Sequence, residues 1–149
     1  DHKNHCVIGA GQTGTKSVNR LLERGLKIER IPWVISRDAL FLNRVSFQVE
    51  DCFYDSTIVG PSNPIEIYAT SKSVRKTEER MEDATQVKRI DPNIWPSMFH
   101  AAIVSEREIE QLKTVKNIIR MGRVSKVNAE AMEMTDGIVS MDPDTLYID

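Results

Sequence analysis

The stretch HCVIGAGQTGTKSVNRLLERG, residues 5–25, sets three glycines within six positions between an apolar run and a helical pattern. Residues 5–9 (HCVIG) have the length and apolar content of a buried parallel strand. Beyond the glycines, Val18, Leu21, Leu22 and Leu26 recur at i, i+3, i+4 and i+8, which is one face of a helix, and Gly25 suits its C-terminal stop. Residues 31–36 (IPWVIS) predict a second strand, so strand, glycine turn, helix and strand make a right-handed βαβ unit.

Gly9-Ala10-Gly11-Gln12-Thr13-Gly14 has the spacing G-x-G-x-x-G, and each position answers a different demand. Gly9 permits the sharp exit from the strand. Gly11, without a Cβ, lets the backbone approach a pyrophosphate, and Gly14 lets the helix lie tight against the sheet. The helix that starts here offers free N–H groups and the positive end of its dipole to an anion. A purely structural corner is the competing reading. The position of the turn, after a strand and before an amphipathic helix, favours dinucleotide binding.

At the end of the second strand the chain reads Ile35-Ser36-Arg37-Asp38. A carboxylate there would hold the ribose hydroxyls of NAD or FAD, whereas an Arg pairs with the extra phosphate of NADP. Ser36 and Arg37 supply a hydroxyl and a guanidinium, which favours NADP(H). Asp38 keeps NAD(H) open, and a solvated strand-end charge is the bland alternative for Arg37.

The 149 residues, 40% apolar and 28% charged, suffice for one substantial core, so a single domain over 1–149 is expected. A formal charge of −2 argues against a general nucleic-acid binder. The charge is uneven: Lys16, Arg20, Arg24, Lys27, Arg30 and Arg37 crowd the third that contains the glycines, while residues 127–149 hold no Lys or Arg. Two cysteines, Cys6 and Cys52, make no disulfide framework, and no signal peptide or membrane-spanning run is present, so a soluble, reducing, cytoplasmic setting without membrane contact is predicted. The chain opens DHKNH without a Met and closes on the strand-like TLYID, as an excerpt of a longer protein would.

Between about 38 and 63 the pattern loses its period and reads as an irregular insert, a lid or docking surface. Residues 64–87 look helical, with a charged, solvated face from Lys72 to Asp83. Ser105 and Glu108 form a capping box at the start of a helix. From Asn117 the pattern is strands, with Asp136-Gly137 marking a hairpin.

VIGAGQTG, ERIPWVISRDALFLNR, RIDPNIWPSMFHAAIVSEREIEQLKTVKNIIRMGRV and PDTLYID together resemble the pyridine-nucleotide-binding part of FAD/NAD(P)-dependent oxidoreductases related to flavin-containing monooxygenases. The likeness runs over nearly the whole chain. Its most specific pieces are the W-x-x-x-R-D segment at Trp33–Asp38 and the closing Asp144–Asp149 strand. The resemblance implies an α/β fold, a Rossmann-like three-layer dinucleotide-binding domain with a parallel sheet and an antiparallel β-meander, inserted in a larger flavoprotein. It also implies that NAD(P)H is positioned for hydride transfer to FAD, bound mainly by another domain of the same parent chain, in a monooxygenase-like enzyme acting on a small-molecule substrate. Gly9, Gly11, Gln12, Thr13 and Gly14 would hold the pyrophosphate, and Ser36 and Arg37 the adenosine phosphate. Asn43 and Arg44 are further candidates for cofactor contact. No second G-x-G-x-x-G is present, and no catalytic residue can be named.

Two other classes compete. One is a non-catalytic, nucleotide-sensing Rossmann regulatory module, which an acidic end to the second strand would favour. The other is a short-chain dehydrogenase, whose Tyr-x-x-x-Lys pair is matched in spacing by Tyr68 and Lys72, on one face if helical. His2, His5 and Cys6 crowd the N-terminus, but Cys6 reads as a buried small hydrophobe and no metal is expected.

Overall fold

A computed structural model describes residues 2–47 and 63–149. In chain order the elements are β1 (Asn4–Ile8), α1 (Gln12–Glu23), β2 (Trp33–Val34), β3 (Ala39–Asn43), α2 (Pro64–Thr70), α3 (Val74–Asp83), β4 (Val87–Lys88), β5 (Met98–Val104), α4 (Glu106–Thr114), β6 (Ile118–Ile119), β7 (Val124–Val127), β8 (Ala131–Met134), β9 (Gly137–Ser140) and β10 (Thr145–Ile148). Short 3-10 turns lie at Ile28–Arg30 and Arg44–Phe47. The protein is mixed α/β, with a parallel sheet and separate antiparallel strands.

Alternation along the strands decides the layers, because successive side chains of a strand point to opposite faces. Val7 and Trp33 are fully buried in one core with Val18 of α1 and Ile109 and Leu112 of α4. Their neighbours Cys6 and Val34 are buried in another, with Met132 and Met134 of β8. Helices therefore cover one face of the parallel sheet and the β7-β8-β9 meander covers the other. Each such large apolar side chain contributes roughly 1.5–3 kcal/mol on burial. Burial also pushes the Cys6 thiol up to about 12, so it packs as a hydrophobe and is not a nucleophile.

The main sheet has the order β10-β1-β2-β6, every pair parallel. The βαβ unit expected from residues 5–36 is thus present. α1 ends where the Leu26 and Gly25 amides donate to the Leu21 and Leu22 carbonyls, at 3.1 and 2.9 Å. The expected strands from Asn117 onward form β6 of the main sheet, the meander and β10, with NIIRMGRVSKV divided between β6 and β7. In the β8–β9 hairpin the loop residues are Thr135 and Asp136, and Gly137 already pairs with Met134.

Part of the segment read as irregular is regular. Ala39–Asn43 is a buried strand that pairs in parallel with β5 and antiparallel with β4 in a second sheet. Phe41 enters the main core while Leu40 faces Ile67, Met81 and Val87 beneath α2 and α3. Consecutive apolar residues hid this two-sided strand from a period-2 reading. Residues 48–62, with Cys52, lie outside the described residues.

The long helix expected over 64–87 is two. Ser71 Oγ donates back to the Ile67 carbonyl at 2.6 Å, and Ser73 caps α3 by accepting from the Lys76 amide. Serine hydroxyls that compete for backbone groups end one helix and begin the next. Tyr68 thus lies in α2 and Lys72 beyond its end, so the two do not share a helix face. The capping box at Ser105 and Glu108 is formed. Among the described residues no helix is long and apolar enough to cross a membrane.

Candidate functional site

The three glycines of the turn have three different surroundings. Gly9 leaves β1 with φ +102°, a conformation that favours glycine. Its N–H donates to the Val34 carbonyl at 2.9 Å and its carbonyl accepts from Trp33 Nε1 at 2.8 Å, so β2 pins it on both sides. Gly14 lies against it: a Cβ there would land on the Gly9 carbonyl oxygen and 2.8 Å from the carbonyl carbon. A Cβ on Gly11 would meet nothing within 4 Å. One glycine bends the chain, one closes the helix on the strand, and one faces open space.

Gly11 is the N-cap of α1 and brings no side-chain acceptor to it, and the first turn contains no acidic residue. The first intrahelical donor is Thr15, whose N–H reaches the Gly11 carbonyl at 3.0 Å. The preceding amides, at Gln12, Thr13 and Gly14, are those a helix start leaves without helical acceptors. The positive end of the dipole is therefore not offset locally. Thr15 Oγ1 donates to the Gly11 and Gln12 carbonyls, at 2.9 and 3.1 Å, and stiffens the turn from within.

Gln12 is part of the turn by its backbone only. Its side-chain oxygen accepts from the Ile103 amide at 2.7 Å and its NH2 donates to the Ile103 carbonyl at 3.4 Å, which ties α1 to β5. Thr13 is exposed. It borders a groove of about 480 Å³ with Lys16, Ser17, Arg20, Arg24 and Ile148. The four-residue spacing of the three cations puts them on one face of α1.

Because all four main-sheet strands are parallel, the ends of β1, β2 and β6 lie along one edge. Ser36 and Arg37 stand there, both exposed and without a partner among the described residues. Asp38 does not join them. Both its oxygens are taken by Arg120, just after β6: Nε donates to Oδ2 at 2.8 Å and Nη2 to Oδ1 at 3.0 Å. The hydrogen bond to Asp38 raises the Arg120 pKa further, against burial. Asp91 adds a contact at 3.6 Å.

Asn43 and Arg44 are engaged elsewhere. Asn43 is buried, donates to the Thr85 carbonyl at 2.8 Å and accepts from the Val45 amide at 3.4 Å. Arg44 pairs with Glu108 at 3.0 Å. The structure brings the glycine turn, Ser36 and Arg37 to one edge and spends the side chains of Asn43 and Arg44 on the second sheet and α4. Sequence reasoning missed the Asp38–Arg120 fork, whose partners are 82 positions apart. Among the described residues no cluster of His, Cys, Asp and Glu could hold a metal ion.

No family model matches this chain. It is similar to uncharacterised proteins of Mycobacterium bovis and of two strains of Mycobacterium tuberculosis, each 31% identical over 145 residues, which is 97% of this chain and 27% of the relative. The chain thus spans about a quarter of the length of the curated relatives it matches.

Proposed function

We propose that this chain binds NAD(P)H, with preference for NADPH, and presents it to the FAD of a flavin-dependent, monooxygenase-like oxidoreductase. The observation that carries the reading is the glycine turn: space over Gly9 and Gly11, pinned from below by Trp33, at a helix start with no side-chain cap. Such a start binds phosphate through bare amides and dipole. The position of the turn supports it as well, since β1 sends its next strand to one side and has β10 on the other, the switch point where open α/β sheets take ligands. The order β10-β1-β2-β6 corresponds to the 4-1-2-3 run of a Rossmann sheet, one three-stranded half plus the strand beside it, and the meander between β6 and β10 fits the flavoprotein likeness.

The residues fit the coenzyme. The amides of Gly11, Gln12, Thr13 and Gly14 would hold the pyrophosphate, with Gln12 contributing its backbone, and Ser36 and Arg37 would hold the adenosine phosphate. Bound NADPH supplies a hydride for a flavin to accept, and this chain's part is position and charge. FAD and the site for a small-molecule substrate belong to another domain of the parent protein in this reading.

Titration calorimetry of the 149-residue chain with NADPH and NADH tests it. NADPH is expected to bind more tightly, and Arg37→Ala to cost NADPH on the order of tenfold, the value of one charge-assisted contact, with NADH unaffected. Equal affinities before and after the substitution would remove Arg37 from the site.

A further inference from the structure

We infer that Arg120 is a specificity-determining residue: by gripping Asp38 it withdraws the carboxylate from the coenzyme's ribose, and so makes the end of β2 an NADPH site. This rests on the dinucleotide reading above. The strand end carries two contradictory signals, since an acid at this point ordinarily accepts from the ribose hydroxyls of NAD and repels an extra phosphate, while an arginine recruits it. Arg37 and Asp38 are adjacent in the chain. Only a third group can decide between them.

Arg120 is that group. Its fork meets both oxygens of Asp38, at 2.8 and 3.0 Å, in the two-bond geometry that a guanidinium offers a carboxylate and an ammonium does not. The pair is shielded, with Asp38 only 13% and Arg120 28% exposed. The backbone holds the arrangement from both sides: the Asp38 carbonyl accepts from the Ser97 amide at 3.1 Å, and the Ile35 amide donates to the Ile119 carbonyl at 3.0 Å, which fixes β2 against the residue before Arg120. Asp38 is thereby neutralised and turned toward β6, and Arg37 is the exposed charge that remains. Without Arg120 the freed carboxylate would sit beside Arg37, oppose its charge and accept from ribose hydroxyls.

The measurement is the ratio of NADPH to NADH dissociation constants in the 149-residue chain, for the wild type, Arg120→Met, Asp38→Asn and the double variant. Arg120→Met is expected to move the ratio toward NADH on the order of tenfold or more, because a charge is unmasked at the phosphate subsite. The double variant no longer has the Asp38 carboxylate and frees only Asp91, the looser partner at 3.6 Å, so it is expected to return toward the wild-type ratio. Asp38→Asn alone is expected to leave NADH affinity as in the wild type, because the gripped carboxylate makes no contact with the ribose. A merely structural Arg120 would lower both affinities together and leave the ratio unmoved, and that result in folded Arg120→Met overturns the inference. Should Arg120→Met not fold, Asp38→Asn decides: a selective loss of NADH affinity would mean that Asp38 already touches the ribose, and would overturn it too. A wild-type chain that binds neither nucleotide overturns the dinucleotide reading itself, an outcome distinct from an unchanged ratio.

Discussion

Two strand ends carry nearly the same residues and meet different fates. After β2 the chain reads Ser36-Arg37, and at the end of β3 it reads Asn43-Arg44, in each case a small polar residue followed by an arginine. At β3 the fold claims both: Asn43 bridges the backbone at Thr85 and Val45, and Arg44 pairs with the glutamate that also caps α4. At β2 both stay exposed. A polar side chain at a strand end is open to a ligand only when no other element takes it, and the elements that take Asn43 and Arg44 lie 42 and 64 positions away. Unclaimed polarity, rather than polarity, marks the candidate site.

The largest expected effect comes from the turn, where the same contrast holds between two glycines. Gly14→Ala drives a methyl into the Gly9 carbonyl, which is backbone and cannot swing aside. Overpacking of this kind is expected to cost about 3 kcal/mol or more, read as a lower urea midpoint. Gly11→Ala enters open space at φ −75°, so its cost is that of a poorer N-cap, about 1 kcal/mol or less. It is nevertheless expected to abolish most NADPH affinity, since the methyl occupies the side from which a pyrophosphate approaches. A Gly11→Ala chain that binds NADPH like the wild type would mean that the open space is not the phosphate site.

How much of this could be read in advance follows the range of the interactions. The βαβ unit, the glycine turn and the capping box were legible, because helix periodicity, turn chemistry and caps are local signals within a few residues. The strand at Ala39–Asn43 was not, since burial on both faces erases the alternation that identifies a strand. The break at Ser71 was a local signal, two serines around Lys72, outweighed by the charged helical pattern on either side. Of the candidate site, the turn, Ser36 and Arg37 are nominated by local sequence signals, and the structure leaves the two side chains exposed. The engagement of Asn43, Arg44 and Asp38 could not be read in advance, because Thr85, Glu108 and Arg120 are brought near only by the second sheet, α4 and β6.

A smaller effect separates the two arginines. Arg44→Met removes a half-exposed ion pair and is expected to cost about 1 kcal/mol of stability, the upper range for a pair in contact with solvent. NADPH affinity should stay as in the wild type. This is the mirror of Arg37→Ala, which is expected to leave the melting temperature in place and weaken NADPH. If Arg44→Met instead keeps its stability and loses NADPH, the carboxyl end of β3 belongs to the coenzyme site and the contrast between the strand ends is void.

The smallest effect lies in the acid limb of stability, and it belongs to the β3 side. Burial pushes the Glu108 carboxyl up, but the Ser105 amide, Arg44 and the Ser105 hydroxyl together outweigh it and hold the group below the usual glutamate range. A folded-state pKa below the unfolded value means that ionised Glu108 stabilises the fold above the usual value, about 4.3, and that this contribution is lost as pH falls through the lowered folded value. At neutral pH Glu108→Gln should cost no more than about 1 kcal/mol, because the pair is part-exposed and glutamine can still accept from the Ser105 amide. Melting temperatures of the wild type and Glu108→Gln should therefore differ at pH 7 and converge as the pH is lowered below the glutamate range. Arg37→Ala, which removes a group with no ion pair among the described residues, should run parallel to the wild type over the same interval. Parallel curves for Glu108→Gln would show that the glutamate is not held by its three partners in solution, and Arg44 would then be as open to a ligand as Arg37.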